Sequence, residues 1–167
     1  MLSAVTHLDD PADPDAIDRL ADTLSALVSG VAGGLVGDAI IVVPREVPAV
    51  ATVAEATGAV LVVHTGNDPF GAGAAIARRD WIFCLDAGDV PAEGWIRTLD
   101  RFVGMAKPEI GIGRLDRPEP LRRLRNRLDR LFGTRTIRAG DVVRREDLSG
   151  RTKRLRVRAL HARIDRS

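Results

Sequence analysis

Two carboxylates, Asp86 and Asp89, close the apolar run Trp81-Ile82-Phe83-Cys84-Leu85, and Val90-Pro91 follows them. A short run that is apolar on both faces and bounded by turn residues has the pattern of a buried parallel strand. Open α/β sheets bind ligands outside the carboxyl ends of their strands. Two acids at that position are costly unless a cation binds them or water reaches them. A divalent metal carrying a phosphate is one such cation. A solvated turn, with Asp89 capping or flanking the next helix, accounts for the same residues.

Other chemistry-bearing residues are sparse. His7 and His64 each follow an apolar run and could reach the crevice of Asp86, while His161 stands apart. None sits at metal-ligand spacing, and a turn or surface position is the simpler account of all three. Gly71-Ala72-Gly73 is not GxGxxG and follows the third expected strand, so a dinucleotide fingerprint is rejected. These glycines serve better to let a helix approach the sheet closely. There is no serine nucleophile elbow, Walker lysine or cysteine cluster. Cys84, inside the apolar run, reads as core filler.

The elements that must position the acids follow from composition and pattern. At 167 residues, one domain is the natural expectation. A chain that is 45% hydrophobic and 29% charged is globular. A single cysteine excludes an internal disulfide and suits a reducing compartment. The first residues carry Asp9 and Asp10 and no basic stretch, so no signal peptide is expected. No apolar run reaches the roughly 18 residues of a spanning helix. These features point to the cytoplasm. The charge is uneven: residues 1–113 hold 7 Lys/Arg and 16 Asp/Glu, residues 114–167 hold 18 and 7. Such a basic end calls for an anionic partner: nucleic acid, acidic lipid or the chain's own acidic part.

In chain order, Leu2 to Thr6 reads as a strand. Asp13-Pro14-Asp15 starts a helix, with Asp13 as N-cap and Pro14 at the first position. Ile17, Leu20, Leu24, Leu27 and Val28 share its inner face, and Gly30 ends it. Asp38 to Val43 is a strand, Pro48 to Gly58 a helix and Ala59 to Val63 a third strand. A glycine-rich turn, His64 to Gly73, leads into a short helix through Arg79, then the strand ending at Asp86. Ala92 to Ala106 is a helix with Ile96, Leu99, Phe102 and Val103 inward. The alternation predicts an α/β fold with a mostly parallel sheet and helices on both faces. Ile110 to Leu115 is a further strand candidate. Residues 118–132 form a basic helix, with Leu121, Leu124, Leu128, Leu131 and Phe132 on one side and arginines around them. Such a helix suits an anionic membrane surface at the inner face of the membrane; a helix packed on its own sheet with a solvated basic rim suits it as well. Ile137 to Arg144 is a strand broken at Gly140. Residues 149–167 form a basic tail, either docked as a strand or disordered.

The segment from Gly71 to Trp95 resembles the middle of a family 2 glycosyltransferase. A small-residue helix leads to Trp81-Ile-Phe-Cys-Leu-Asp-Ala-Gly-Asp-Val-Pro91, which is similar to the family's "W-hydrophobic-hydrophobic-hydrophobic-L-D-A-D-D/T-x-x-P". Gly140-Asp141-Val-Val-Arg144-Arg145-Glu-Asp-Leu148 resembles its "G-D-x-x-x-x-R-R-x-x-F" stretch. The resemblance implies a GT-A (Rossmann-like) domain over residues 1–148 with a truncated acceptor half. It further implies a DxD-type site in which Asp86 and Asp89 hold Mg²⁺ or Mn²⁺ against the diphosphate of a sugar nucleotide. Asp9, Asp10, Glu46 and Asp86 would then contact the nucleotide. Four departures accompany it. Gly88 stands at the motif's second acid. The first strand leads into Thr6-His7-Leu8-Asp9 rather than "P-x-x-N/D". The second leads into Pro44-Arg45-Glu46 without an acid at its end. The "GG-F-x…E-D" segment that carries the catalytic base is missing after Leu148. Two readings follow: a metal-assisted transferase moving a sugar from a nucleotide-diphosphate sugar to an unknown acceptor, or an inactive relative acting as a binding or regulatory protein. Nucleic-acid binding is disfavoured, because Phe132 is the one aromatic in the basic part.

Overall fold

The computed structural model describes residues 1–107, 109–117, 134, 136–149 and 154–167. The basic helix expected at 118–132 lies outside the described residues. Among the described residues, eight strands form one curled sheet in the order β3-β2-β1-β4-β7-β6-β8-β5. They are β1 Leu2–His7, β2 Val36–Val43, β3 Val60–Val63, β4 Trp81–Asp86, β5 Asp89–Pro91, β6 Ile110–Asp116, β7 Asp141–Arg144 and β8 Arg156–Arg166. The helices are α1 Ala16–Ala32, α2 Pro48–Thr57, α3 Pro69–Ile76, α4 Trp95–Met105 and α5 Arg145–Ser149.

The first half of the sheet is parallel, as the alternation predicts: β1 pairs with β2 and β4, and β2 with β3. Beyond β4 the sheet turns mixed. β7 runs antiparallel to both β4 and β6, while β8 runs parallel to β6 and antiparallel to β5. β4 therefore lies centrally, between β1 and β7. Ile82, Phe83, Cys84 and Leu85 are all fully buried, which explains a run with no polar alternation. Period-two geometry sends these side chains to two core layers. Phe83 and Leu85 meet the layer under α1, α2 and α4, through Leu20, Leu27, Val50 and Leu99. Ile82 and Cys84 meet the layer under α3 and α5, through Phe70, Ala74 and Leu148.

Several local expectations are corrected. Asp13 precedes α1 rather than capping it at Pro14: its Oδ1 accepts the Asp15 N–H at 2.9 Å and Asp15 takes the N-cap position. Val28 is 63% exposed, so it leaves the inner face of α1. Gly30 does not end the helix. It is buried within it, where a Cβ would meet the Trp95 ring at 2.4 Å, so the glycine permits the α1–α4 approach. Gly71 and Gly73 lie inside α3 rather than in the turn before it; a Cβ on Gly73 would strike Val5 at 2.4 Å, so this helix does approach the sheet closely. The helix expected from Ala92 starts at Trp95, because Asp89–Pro91 pairs with β8 as a strand. Ile137 to Ala139 is irregular, and β7 begins only after Gly140, which turns at φ +91°. Of the two alternatives for the tail, Arg156–Arg166 takes the strand, inside the sheet between β6 and β5.

Candidate functional site

Parallel pairing of β1 with β4 sets His7 opposite Asp86 at the carboxyl ends of both strands. His7 Nδ1 lies 3.8 Å from Asp86 Oδ1, and its ring meets Phe70 edge-on with centroids 6.3 Å apart. The Asp86 side chain keeps 31% of its surface exposed. It lines two clefts at once. The larger, about 480 Å³, is bounded by His7 to Asp10, Asp13, Arg19 and Arg166. The smaller, about 260 Å³, is bounded by Asn67 to Phe70 at the start of α3 and by Thr136 to Ala139. The Asp68 carboxylate there caps α3 by accepting the Gly71 N–H at 3.0 Å.

Directly after Asp86 the chain reverses at Gly88, with φ +95°. The turn is fastened from both sides. The Gly88 N–H donates to Arg19 O and Thr23 Oγ1, both at 2.9 Å, and the Ser167 N–H donates to Gly88 O at 2.9 Å. A residue with a side chain is strained at this φ. The backbone thus accounts for glycine at the second acid of the motif that Asp86 opens. The reversal turns Asp89 inward, to 1% exposure. Its Oδ2 accepts the Asp86 N–H at 2.8 Å and a hydrogen bond from Arg117 Nη2. Arg117, itself buried, also sets Nη1 3.6 Å from Asp86 Oδ2 and so faces both acids. Asp89 Oδ1 and Arg117 Nε and Nη1 are buried without a hydrogen-bond partner.

The two carboxyls are tuned in opposite directions. Burial opposes ionisation of Asp86, but the adjacent His7 ring and the charges of Arg117 and Arg166 outweigh it, leaving the group below its ordinary value. Burial dominates at Asp89 and raises its carboxyl against the pull of Arg117 and the Asp86 N–H. Asp86 is therefore the accessible member, its charged form favoured, and Asp89 the buried support behind it.

The other residues expected at the site divide. Asp9 and Asp10 line the larger cleft. Glu46 is exposed beyond the end of β2 and lines neither cleft, nor does Asp89. His64 also stays out of both, whereas His7 enters. Arg117 and Arg166 escaped notice in the sequence. Both lie in the basic part, where nothing in composition separates them from their neighbours; only the end of β6, which Arg117 follows, and the pairing of β8 with β5 bring them in. Asp141 of the Gly140-Asp141 stretch belongs elsewhere. It is fully buried and takes a two-pronged contact from Arg114, Nε to Oδ1 at 2.6 Å and Nη2 to Oδ2 at 2.9 Å.

A half-parallel sheet with helices on both faces, continued by a mixed half and carrying an acid at the end of its central strand, defines a GT-A glycosyltransferase-type fold. Among solved structures, glucosyl-3-phosphoglycerate synthase from Mycobacterium tuberculosis, in complex with Mn²⁺, uridine diphosphate and phosphoglyceric acid, matches with a TM-score of 0.56 and 19% identity over 87% of this chain. The same synthase with Mn²⁺, uridine-diphosphate-glucose and phosphoglyceric acid matches at 0.59 and 15%, again over 87%. Mannosyl-3-phosphoglycerate synthase from Rubrobacter xylanophilus matches at 0.59 and 16% over 87%. The chain spans 56%, 57% and 53% of those structures' own chains, little more than half their length. No protein-family model matches the chain, and no curated protein matches it.

Proposed function

We propose that this chain binds a nucleotide-diphosphate sugar at Asp86 and transfers the sugar, as a glycosyltransferase of the family 2 type. The observation that carries this reading is Asp86 itself: an accessible carboxylate at the end of the central strand of a GT-A-type sheet, held ionised, on the ridge between two clefts. Two clefts meeting at one residue suit a donor and an acceptor. Asp9 and Asp10 line the larger and are candidates for nucleotide contacts; Glu46, exposed beyond β2, would reach a nucleotide only along the rim.

The similar synthases were solved with Mn²⁺ or Mg²⁺ and uridine diphosphate. In this chain a hard divalent ion fits Asp86, which has free carboxylate surface and His7 beside it. It fits Asp89 poorly, because that carboxylate is buried and already bound by Arg117 and a backbone N–H. Asp86 would hold the ion together with phosphate oxygens of the nucleotide, and Asp89 would hold Asp86 in place from behind. When bound, the ion supplies Lewis-acid stabilisation of the departing diphosphate. One protein carboxylate alone holds Mg²⁺ weakly, since the ion keeps its waters until phosphate joins its shell. The chain's own residues orient the carboxylate through His7 and Arg117 and gather the donor between Asp86 and Arg166.

The test is a melting series with Mn²⁺, with uridine diphosphate, and with both. Joint addition is expected to raise the melting temperature, each alone to do little, and Asp86→Asn to abolish the joint shift while melting as the wild type does. A ligand at 100 times its dissociation constant adds about 2.7 kcal/mol, which melting detects. A second reading, a binding or regulatory protein without catalysis, draws on Gly88 at the missing acid. It prevails if the joint shift appears but no sugar leaves uridine-diphosphate-glucose. Absence of a joint shift with any common nucleotide diphosphate would end the donor-site reading.

A further inference from the structure

We infer a second binding surface, on the groove between α4 and β8, that seats the protein on an anionic lipid bilayer. The groove holds about 490 Å³. Arg97, Arg101, Lys107 and Arg158 line it, all exposed, and no carboxylate does. Its apolar floor is the half-buried Ile110 and the exposed Ala159, over the buried Phe102 and Leu160, and Met105 stands at the mouth with 70% of its surface exposed. α4 presents this combination by helical spacing: positions 97, 101 and 105 follow one another at i+4, so two guanidiniums and the methionine share one face.

The cations here are unpaired and gathered round one groove, whereas several others on the surface are paired. Arg19, Arg45, Arg79, Arg145 and Arg163 each lie within ion-pair distance of an aspartate. Among the described residues, Arg97, Arg101, Lys107 and Arg158 have no such acid, although Asp100 lies on the same helix. Four unpaired cations around a groove repel one another, and a neighbouring anion relieves that repulsion. Bare anions would need no apolar floor, and an exposed methionine at the rim gains only from hydrocarbon. Phosphate headgroups above acyl chains supply both, as interfacial surfaces of basic and apolar residues require. A nucleic acid fits worse, because Phe102 is 3% exposed and offers no stacking face.

The surface is separate from the sugar-nucleotide site. β8 runs from Arg158 at the groove to Arg166 at the larger cleft, about 26 Å at roughly 3.3 Å per residue. No helix among the described residues is long and apolar enough to cross a membrane.

Sedimentation of the full chain with vesicles tests the inference. At low ionic strength the protein is expected to pellet with phosphatidylcholine mixed with phosphatidylserine and to stay in solution with phosphatidylcholine alone. Arg97→Ser with Arg101→Ser should weaken partitioning about thirty-fold, at roughly one kcal/mol for each cation near an anionic surface. Both side chains are exposed, so the double variant should melt as the wild type does. Met105→Ser should weaken binding while leaving its salt dependence unchanged. Equal recovery with neutral and acidic vesicles would overturn the inference. So would wild-type binding by the double variant with loss confined to Arg122→Ser, Arg123→Ser and Arg125→Ser. A double variant that loses single-stranded oligonucleotide binding but keeps vesicle binding would overturn it as well.

Discussion

Two buried aspartate–arginine pairs among the described residues are built differently. Arg114 and Asp141 meet in a two-pronged contact, and a third hydrogen bond reaches Asp141 Oδ2 from the Arg138 N–H at 3.2 Å. Arg117 and Asp89 meet through one carboxylate oxygen; the other oxygen and two guanidinium nitrogens lack hydrogen-bond partners, and Asp86 stands beside them half open to solvent. A closed, fully buried pair gives a ligand no access and serves the fold by joining β6 to β7. An open pair keeps charge and hydrogen-bonding capacity next to a cleft. The contrast separates an acid that holds the protein together from one that supports its site, although both sit in stretches resembling the same family.

Substitutions can break that contrast, in order of effect. Arg114→Met strands a buried carboxylate, and a loss of about 3–5 kcal/mol is expected in urea unfolding. Arg117→Met should cost less, about 1–3 kcal/mol, because it removes a contact to one carboxylate oxygen rather than a two-pronged one. If Arg117→Met costs as much as Arg114→Met, the two pairs are equivalent and the division of roles fails. Gly88→Asp restores the motif's second acid in composition only. Strain at φ +95° should lower stability by about 1–3 kcal/mol, and Mn²⁺ with uridine diphosphate should give no larger melting shift than in the wild type.

The smallest effect concerns pH. Asp86 is held below its ordinary value of 3.8, so the folded state binds fewer protons there than the unfolded state. Its contribution to stability is complete above 3.8 and is lost as pH falls through the folded value. At neutral pH, Asp86→Asn should change stability by less than about 1 kcal/mol, given its exposure and solvent screening. The gap between the two proteins should close on acidification below 3.8, as urea midpoints measured across pH would show. Asp89 has the opposite sign: its raised carboxyl destabilises at neutral pH, and that penalty eases on acidification.

What the sequence discloses depends on how local the cause is. β4 was legible because burial on both faces leaves an unbroken apolar run, and α2 because Pro48 and Gly58 mark its ends, the latter at φ +70°. Asp86 was legible for the same reason, as the residue closing that run. β5 was not: three residues, Asp89–Pro91, carry no period, and only pairing with β8 makes them a strand. The inward turn of Asp89 depends on Gly88 being fastened by α1 and by Ser167, contacts spanning 65 and 79 positions. His7 looked like a turn histidine because its role comes from parallel register with Asp86, which no window of sequence contains.

The placement of β8 also sets an order for folding. β1, β2 and β3 can pair as soon as the helices between them form, across no more than about 35 positions, and β4 joins β1 within about the first half of the chain. The larger cleft is different: it joins His7 and Arg19 to Arg166, and the turn beneath Asp86 waits for Ser167. Closing so long a loop costs entropy before any contact rewards it, so this region should organise last in refolding and open first under native conditions. Hydrogen exchange at the Ser167 and Gly88 amides would then run ahead of exchange at Cys84. A partner that binds the completed cleft would slow it, making exchange at those two amides a clock for ligand residence.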